Sequence, residues 1–208
     1  MAKKKTEAKE TKVEIRLQPL NLATITVPIV GKTPLLMDRF PPEVMKGILD
    51  KQTGAAKGAK KKIRDIKDEI KQAIHKTSTG KIGFPASGFK KGMIEAASFL
   101  GDKFFSKKLV CGALRIINTE EGLIPIKFKK QDVLEHAIEH NMKFSPQFHD
   151  WTCELVIRYD ANNISGSDIV TLINYAGMYS GIGAWRAKGK SGGSGEYGSY
   201  QVKQGNKA

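Results

Sequence analysis

The sequence predicts an α+β fold in which two helices alternate with four strands. From Trp151 to Tyr159 apolar and polar residues alternate, which is typical of a strand with one buried face. Two other segments repeat apolar residues at helical spacing, which predicts helices. The predicted core elements are, in chain order, strand 23–30, helix 87–100, strand 109–117, strand 151–159, helix 167–179 and strand 197–202. This β-α-β-β-α-β order is the ferredoxin-like plan.

The first strand leads into a helical insertion of about 32–83. Pro28 removes a backbone donor and indicates an edge strand or a bulge. A short helix over 43–50 follows two prolines, and the residues of 53–62 are typical of a flexible joint. A second helix carries a stripe of Ile63, Ile66, Ile70 and Ile74, with Lys60, Lys61, Lys62 and Arg64 around it. This helix is either a solvated surface helix or a basic clamp over a polyanion.

The first core helix is expected to start at Ser87 as its N-cap and to bury one apolar face. That face comprises Phe89, Met93, Ala96, Ala97 and Leu100. The run 109–117 is almost continuously apolar, which indicates a strand covered on both faces. A thumb-like insertion over about 118–150 comes next and is predicted to be hairpin-like or helical. Within it, His136 and His140 fit an exposed helix face better than a metal site.

The second core helix has Ser165 or Ser167 as its cap and directs Ile169, Leu172, Ile173 and Ala176 inward. A glycine-rich segment separates it from the last strand, on which Tyr197 and Tyr200 are expected to point to opposite faces. Glycine allows close backbone approach to a ligand, and successive free N–H groups can bind an anion. The segment is therefore either a phosphate-binding loop or a flexible hairpin with solvated lysines.

The net charge of the chain indicates which class of molecule it binds. The 208 residues carry a net charge of +14, which favours polyanions, with nucleic acid ahead of an anionic membrane. No apolar run reaches the roughly 18 residues of a membrane helix. Cys111 and Cys153 lie in apolar, strand-like patterns, so we expect buried free thiols and a cytoplasmic location. We expect a disordered basic arm at 1–12, a single domain over 13–203 and a tail at 204–208.

The topology, the two insertions and the glycine motif resemble the RAMP superfamily. The motif runs from Gly181-Ile-Gly183 to Gly195-Glu-Tyr-Gly198. These proteins are the RNA-recognition-motif-like backbone subunits of CRISPR effectors. The resemblance implies a ferredoxin-like fold, side-by-side assembly along a strand, a thumb that kinks the bound strand and a glycine loop beside its backbone. The end of the chain, including Asn174-Tyr-Ala-Gly177, is also similar to a phage and prophage family, which implies a virus-borne relative.

We therefore predict a protein without catalytic activity or cofactor that binds single-stranded RNA or DNA, with RNA favoured, and assembles into a homo-oligomeric filament or ring. Other effector or phage proteins are further expected partners. The paired aromatics of ordinary RNA-recognition motifs are absent, so binding should be led by the backbone. The predicted contacts are Gly181, Gly183, Trp185, Arg186, Lys188, Lys190, Gly192, Gly193, Gly195, Tyr197, Lys127, Lys129, Lys130, Lys60, Lys61, Lys62 and Arg64.

Two of the aromatic assignments stay open. Trp185 either stacks on a base or packs in the core, and a lone tryptophan beside a helix end favours the core. Either Tyr197 or Tyr200 could offer a face on which a base stacks.

Two rival functions also stay open. One is a metal-assisted endonuclease that uses Asp38, since some RAMP subunits cut with an aspartate in the loop after the first strand. Arg39 adjoins Asp38, and a lone aspartate is more often an ion-pair partner. The other rival is a phage structural or assembly protein with a basic interaction surface.

Overall fold

The computed structural model describes residues 19–54, 64–101, 105–138, 141–187 and 195–204, and the side chains of 138 and 141 lie outside this description. The N-terminal arm, the joint around Lys60, Lys61 and Lys62, and the last residues of the tail are therefore outside the described residues. All statements below concern the described part of the chain.

The core is a four-stranded antiparallel sheet with the strand order β4-β8-β1-β9. Its members are β1 (Leu22–Gly31), β4 (Leu114–Ile116), β8 (Thr152–Asp160) and β9 (Tyr200–Val202). Counted along the core, the order is second, third, first and fourth strand, which is the ferredoxin-like arrangement. The predicted fold class is thus confirmed.

Two helices cover one face of this sheet, α3 (Ala86–Leu100) and α5 (Gly166–Tyr179). The buried face of the sheet consists of alternate residues of the two central strands, among them Val27, Ile29, Leu155 and Ile157. The helices meet it with residues that their spacing predicted, all at most 1% exposed, namely Phe89, Met93, Ala96, Ala97, Ile169, Leu172, Ile173 and Ala176. Leu100, also predicted on this face, is half-buried. The alternate residues of the strands and the apolar stripes of the helices therefore pack against each other and form one core.

The two core helices begin differently. Ser165 caps α5 in a capping box, in which its hydroxyl accepts from the Asp168 N–H and the Asp168 carboxylate accepts from the Ser165 N–H. The predicted cap at Ser87 is wrong, because α3 begins at Ala86 and its cap position is Pro85. The proline side chain forms no capping hydrogen bond.

The segment 109–117 is only partly a strand, and here the sequence prediction was wrong. Its first half belongs to helix α4 (Lys107–Ala113), and β4 is only three residues long. The side-chain amine of Lys90 donates to the carbonyls of Cys111 and Leu114, at 2.8 and 3.1 Å. These contacts satisfy carbonyls at the end of the helix that would otherwise lack partners. Cys111 is exposed on α4 and not buried as expected, whereas Cys153 is buried.

Pro28 lies in a central strand, not on an edge or in a bulge. The backbone of Pro28 points towards β9, but beyond the end of that strand. Its carbonyl accepts from the N–H of Lys203, the residue just after β9. The missing N–H of the proline therefore costs the sheet no ladder bond within β9.

The first insertion contains β2 (Leu35–Leu36), α1 (Pro42–Gln52), α2 (Ile66–Gln72) and β3 (Gly83–Pro85). No residue of α1 is buried. In the predicted isoleucine stripe, exposure falls along the chain, from 42% at Ile66 to 4% at Ile74. The second insertion holds β5 (Leu123–Pro125) and a hairpin of β6 (Lys130–Ile138) and β7 (Asn141–His149).

The hairpin joins the two insertions. Strand β7 pairs with β6 on one side and with β2 on the other, which makes a second, three-stranded sheet. Of the two predicted forms of the thumb-like insertion, the hairpin is the observed one, and the helical face expected for His136 is wrong.

Candidate nucleic-acid interface

The glycine-rich segment starts where α5 ends, and its described flanks are 181–187 and 195–199. The N–H of Ile182 donates to the Gly198 carbonyl at 2.9 Å, and that of Tyr197 donates to the Trp185 carbonyl at 3.2 Å. Both flanks also bond to the chain after β1, because the N–H groups of Gly198 and Ala184 donate to Pro34 and Leu36. The base of the loop is therefore a fixed backbone platform.

The glycines of this platform provide close contact between backbones. A Cβ added at Gly198 would lie 1.7 Å from the Ile182 oxygen, and one at Gly195 would lie 1.7 Å from the Trp185 oxygen. Gly181 and Gly183 have positive φ angles of 63° and 86°, which L side chains rarely adopt. At these positions glycine is needed for the fold. Lys188, Lys190, Gly192 and Gly193 lie outside the described residues.

The platform holds Trp185 at the surface. Its backbone is left-handed, with φ 54°, and its side chain is 48% exposed. The expected core role is therefore wrong for Trp185. The other tryptophan, Trp151, fills the core at 0% exposure, and its indole N–H donates to the Thr33 carbonyl at 2.9 Å.

One ring of the hairpin meets Trp185. The His136 imidazole lies edge-on to the indole, with ring centroids 4.9 Å apart and an interplanar angle of 73°. Both ring nitrogens of His136 are buried without a hydrogen-bond partner among the described residues. The structure thus brings the glycine-rich segment and the thumb-like hairpin together at Trp185.

The remaining aromatic candidates differ in exposure. Tyr197 is half-buried and forms a bridge with Arg186, which is also half-buried. Tyr200 is 2% exposed, and burial raises the pKa of its hydroxyl. Tyr200 therefore offers no face on which a base could stack, because β9 starts at Tyr200 and turns this ring into the core.

The predicted lysines at the base of the hairpin are exposed, and two of them form ion pairs with aspartates. Lys129 lies 3.7 Å from Asp150, and Lys130 lies 2.9 Å from Asp132. Asp132 also contacts His149 at 2.9 Å, and these hydrogen bonds lower the pKa of the Asp132 carboxyl. Lys127 is exposed, and its backbone pairs with Thr152 of β8.

Two further candidates lie near the hairpin. The guanidinium of Arg64 bonds to Glu69 at 2.6 Å and lies 5.7 Å from the centre of the Phe144 ring. Asp38 forms an ion pair with Lys143 of β7. Within the described ranges, no three His, Cys, Asp or Glu side chains form a group that could hold a metal ion.

The sequence patterns missed two arginines. Arg115 and Arg158 lie opposite each other on β4 and β8, and both are exposed. Arg115 was hidden inside an apolar run, and strand pairing is not visible in a sequence. Alternation along β8 had shown only that Arg158 points away from the core.

Comparisons with known proteins identify no family. No family model and no curated protein matches the chain. The crystal structure of Cmr6 from Pyrococcus furiosus is similar with a TM-score of 0.42 and 10% identity, over 89% of this chain and 100% of that chain. Among the described helices, none is long and apolar enough to cross a membrane.

Proposed function

We propose that this protein binds a single nucleic-acid strand, with RNA favoured over DNA, through contacts to the strand's backbone and without catalysis. The observation that carries the proposal is Trp185, an exposed indole on the hydrogen-bonded backbone platform formed by the described flanks of the glycine-rich segment. Aromatic rings that stack on bases tolerate any sequence, and each contributes about 1–3 kcal/mol.

Charge supports the same proposal. The net charge of +14 would draw a polyanion to the surface, and Arg186 lies one residue from Trp185. In the proposal Lys188 and Lys190 extend the loop's charge over the strand. Lys129 and Lys130 would exchange their carboxylate partners for phosphates, and Lys127 would add a third cation, which makes binding sensitive to salt.

We do not extend the proposal to cleavage by Asp38. Its carboxylate is paired with Lys143, which accounts for the residue without a catalytic role. The effector or phage partners implied by the resemblance stay predictions.

Intrinsic fluorescence tests the binding proposal, because the two tryptophans differ so clearly in exposure. Single-stranded RNA or DNA should quench Trp185 and leave the buried Trp151 unchanged. In Trp185→Phe the quenching should disappear, while Trp151 reports that the fold is intact. In Trp185→Ala, binding by anisotropy should weaken by roughly 5- to 150-fold, the equivalent of one stacked base, whereas Trp185→Phe keeps a ring that can stack and should lose less. A wild-type protein that binds neither polymer at low salt would refute the proposal.

Assembly is the second part of the proposal, and two exposed apolar surfaces support it. The first is the stripe Val44, Met45, Ile48 and Leu49 on α1, each 43–57% exposed. The second is an aromatic patch on α3 and α5, where Phe99 and Tyr175 each stack on Tyr179 beside Met178, which is 72% exposed. Exposed apolar surfaces of this kind mark interaction sites.

The two surfaces differ, so a contact between them is heterologous, and repetition of such a contact gives a ring or a filament. We infer that α1 of one copy packs on the aromatic patch of the next. Ile48→Asp and Met178→Asp should each abolish oligomers in light scattering. A mixture of the two variants should form dimers only, since one intact surface of each kind remains. Oligomers that persist in both variants would exclude this contact.

A further inference from the structure

The face of the four-stranded sheet that α3 and α5 leave uncovered carries a row of polar side chains across three strands. Arg115 of β4 is the register partner of Arg158 of β8, and Arg158 is the partner of Thr24 of β1. Directly opposite residues point to the same face, with Cβ atoms about 4.5–5.5 Å apart. All three residues are exposed.

Two like charges placed opposite each other weaken a sheet, so this pair requires an explanation. Among the described residues, neither arginine has an ion-pair or hydrogen-bond partner. On the same face, Asp160 is buried, and its carboxylate accepts from Asn162 and Asn163 in the following turn. Glu154 lies on the same face of β8 but forms no ion pair with either arginine, so no direct ion pair neutralises the row among the described residues.

A cleft of about 220 Å³ adjoins the row. Its lining residues are Ala86, Ser87, Lys90, Arg115 and Ile116. The Lys90 amine donates to the Cys111 and Leu114 carbonyls as described above, so the cleft is lined by a second positive charge in addition to Arg115. The cleft gives an anionic group room to approach Arg115 from the edge of the sheet.

We propose that the row Arg115, Arg158 and Thr24 binds the phosphates of a nucleic-acid strand that crosses the open face of the sheet. Guanidinium groups match phosphate oxygens with two parallel hydrogen bonds, and a threonine hydroxyl can donate a third. The outward residues of these strands include no aromatic side chain, so the row contacts the backbone and not the bases. This inference rests on the proposed function and adds a second surface to the glycine-rich segment.

The test is the salt dependence of binding in Arg115→Gln/Arg158→Gln, measured by anisotropy with labelled single-stranded RNA and DNA. Glutamine keeps much of the side-chain stem and removes the charge. Two lost phosphate contacts should lower the slope of log K against log salt by about 1.4, at roughly 0.7 per phosphate. The matched control is Lys107→Gln/Lys108→Gln, which removes the same charge from the exposed start of α4 and should leave the slope near the wild-type value.

A second variant separates charge from folding. Arg115→Lys/Arg158→Lys should retain the wild-type slope but bind more weakly, because lysine lacks the planar fork. Thermal melts should show that all variants fold, since every substituted side chain is exposed. A glutamine variant with the wild-type slope would overturn the inference.

The outcomes also separate this inference from the proposed function. If Trp185 is quenched normally but the glutamine variant keeps its slope, only the sheet surface is excluded. If the wild-type protein binds no oligonucleotide, both fail. If instead it binds an acidic peptide, such as polyglutamate, and the glutamine variant does not, the row recognises carboxylates and the assignment to phosphate is wrong.

Discussion

Helices α5 and α1 have similar lengths, yet the protein uses them in opposite ways. Helix α5 buries Ile169, Leu172 and Ile173 completely and begins with a capping box. Helix α1 buries nothing, and no side chain caps it. Both are amphipathic, so amphipathicity alone does not indicate whether a helix belongs to the core of its own chain or offers its face to another molecule.

A glycine in each helix makes the comparison testable. A Cβ at Gly177 of α5 would lie 1.9 Å from the Tyr200 carbonyl oxygen, whereas a Cβ at Gly47 of α1 would meet nothing within 4 Å. The close contact between α5 and β9 therefore requires a glycine at position 177, whereas no contact requires one at position 47.

The largest effect is expected for Gly177→Ala. The added methyl group must push β9 away from α5, which should lower the free energy of unfolding by about 3 kcal/mol in urea denaturation. Gly92→Ala in α3 is the control, because its Cβ would find only ordinary contacts at 3.7 Å. Equal stability of the two variants would show that α5 and β9 are not packed as described.

The next effect concerns the start of α5. Ser165→Ala removes the hydroxyl that accepts from the Asp168 N–H at 3.1 Å, and we expect a loss of about 1 kcal/mol by chemical denaturation. Ser165→Thr keeps the hydroxyl and should retain most of the wild-type stability. Ser87→Ala at the corresponding end of α3 should change stability little, and a loss there equal to that of Ser165→Ala would contradict the difference between the two helix starts.

A smaller, pH-dependent effect is expected where the first insertion returns to the core. Burial, with Arg39 nearby, lowers the pKa of His75, whose ring packs edge-on against Phe84. The unfolded chain, with its histidine pKa near 6.5, then binds more protons, so stability should fall as the pH drops from about 7 towards 5. In His75→Gln this part of the pH dependence should vanish from thermal melts. An unchanged dependence of the melting temperature on pH would show that another group causes it.

The smallest change in stability is expected for Gly47→Ala. Alanine favours a helix by about 1 kcal/mol over glycine, but α1 contributes no buried residue to the fold. Helicity by circular dichroism should therefore rise, while the midpoint of global unfolding stays within error. A midpoint shift as large as that of Ser165→Ala would show that α1 is part of the cooperative core.

Much of the fold could be predicted because its signals are local. The stripe on α5 and the alternation along β8 require only the spacing of residues within one element, and both were confirmed. The prediction for 109–113 was wrong because apolar runs of that length suit a buried strand or a buried helix equally. A remote side chain, that of Lys90, completes the end of the helix.

The candidate site could be predicted less well. The two tryptophans differ in burial, with Trp151 in the core and Trp185 at the surface, and backbone pairing around Trp185 holds it there. The pairing of Asp38 with Lys143 joins residues far apart in the chain. The spacing of apolar residues within one helix or strand does not indicate such long-range contacts.

The sequence by itself determined the β-α-β-β-α-β order of the core, the face that each core helix buries and the excess of positive charge, since all three follow from residue type and spacing. Tertiary structure alone decided which glycines the fold requires, which tryptophan is exposed and that Arg115 faces Arg158. These properties depend on the register between strands that are distant in the chain, and the register is set only when the sheet assembles.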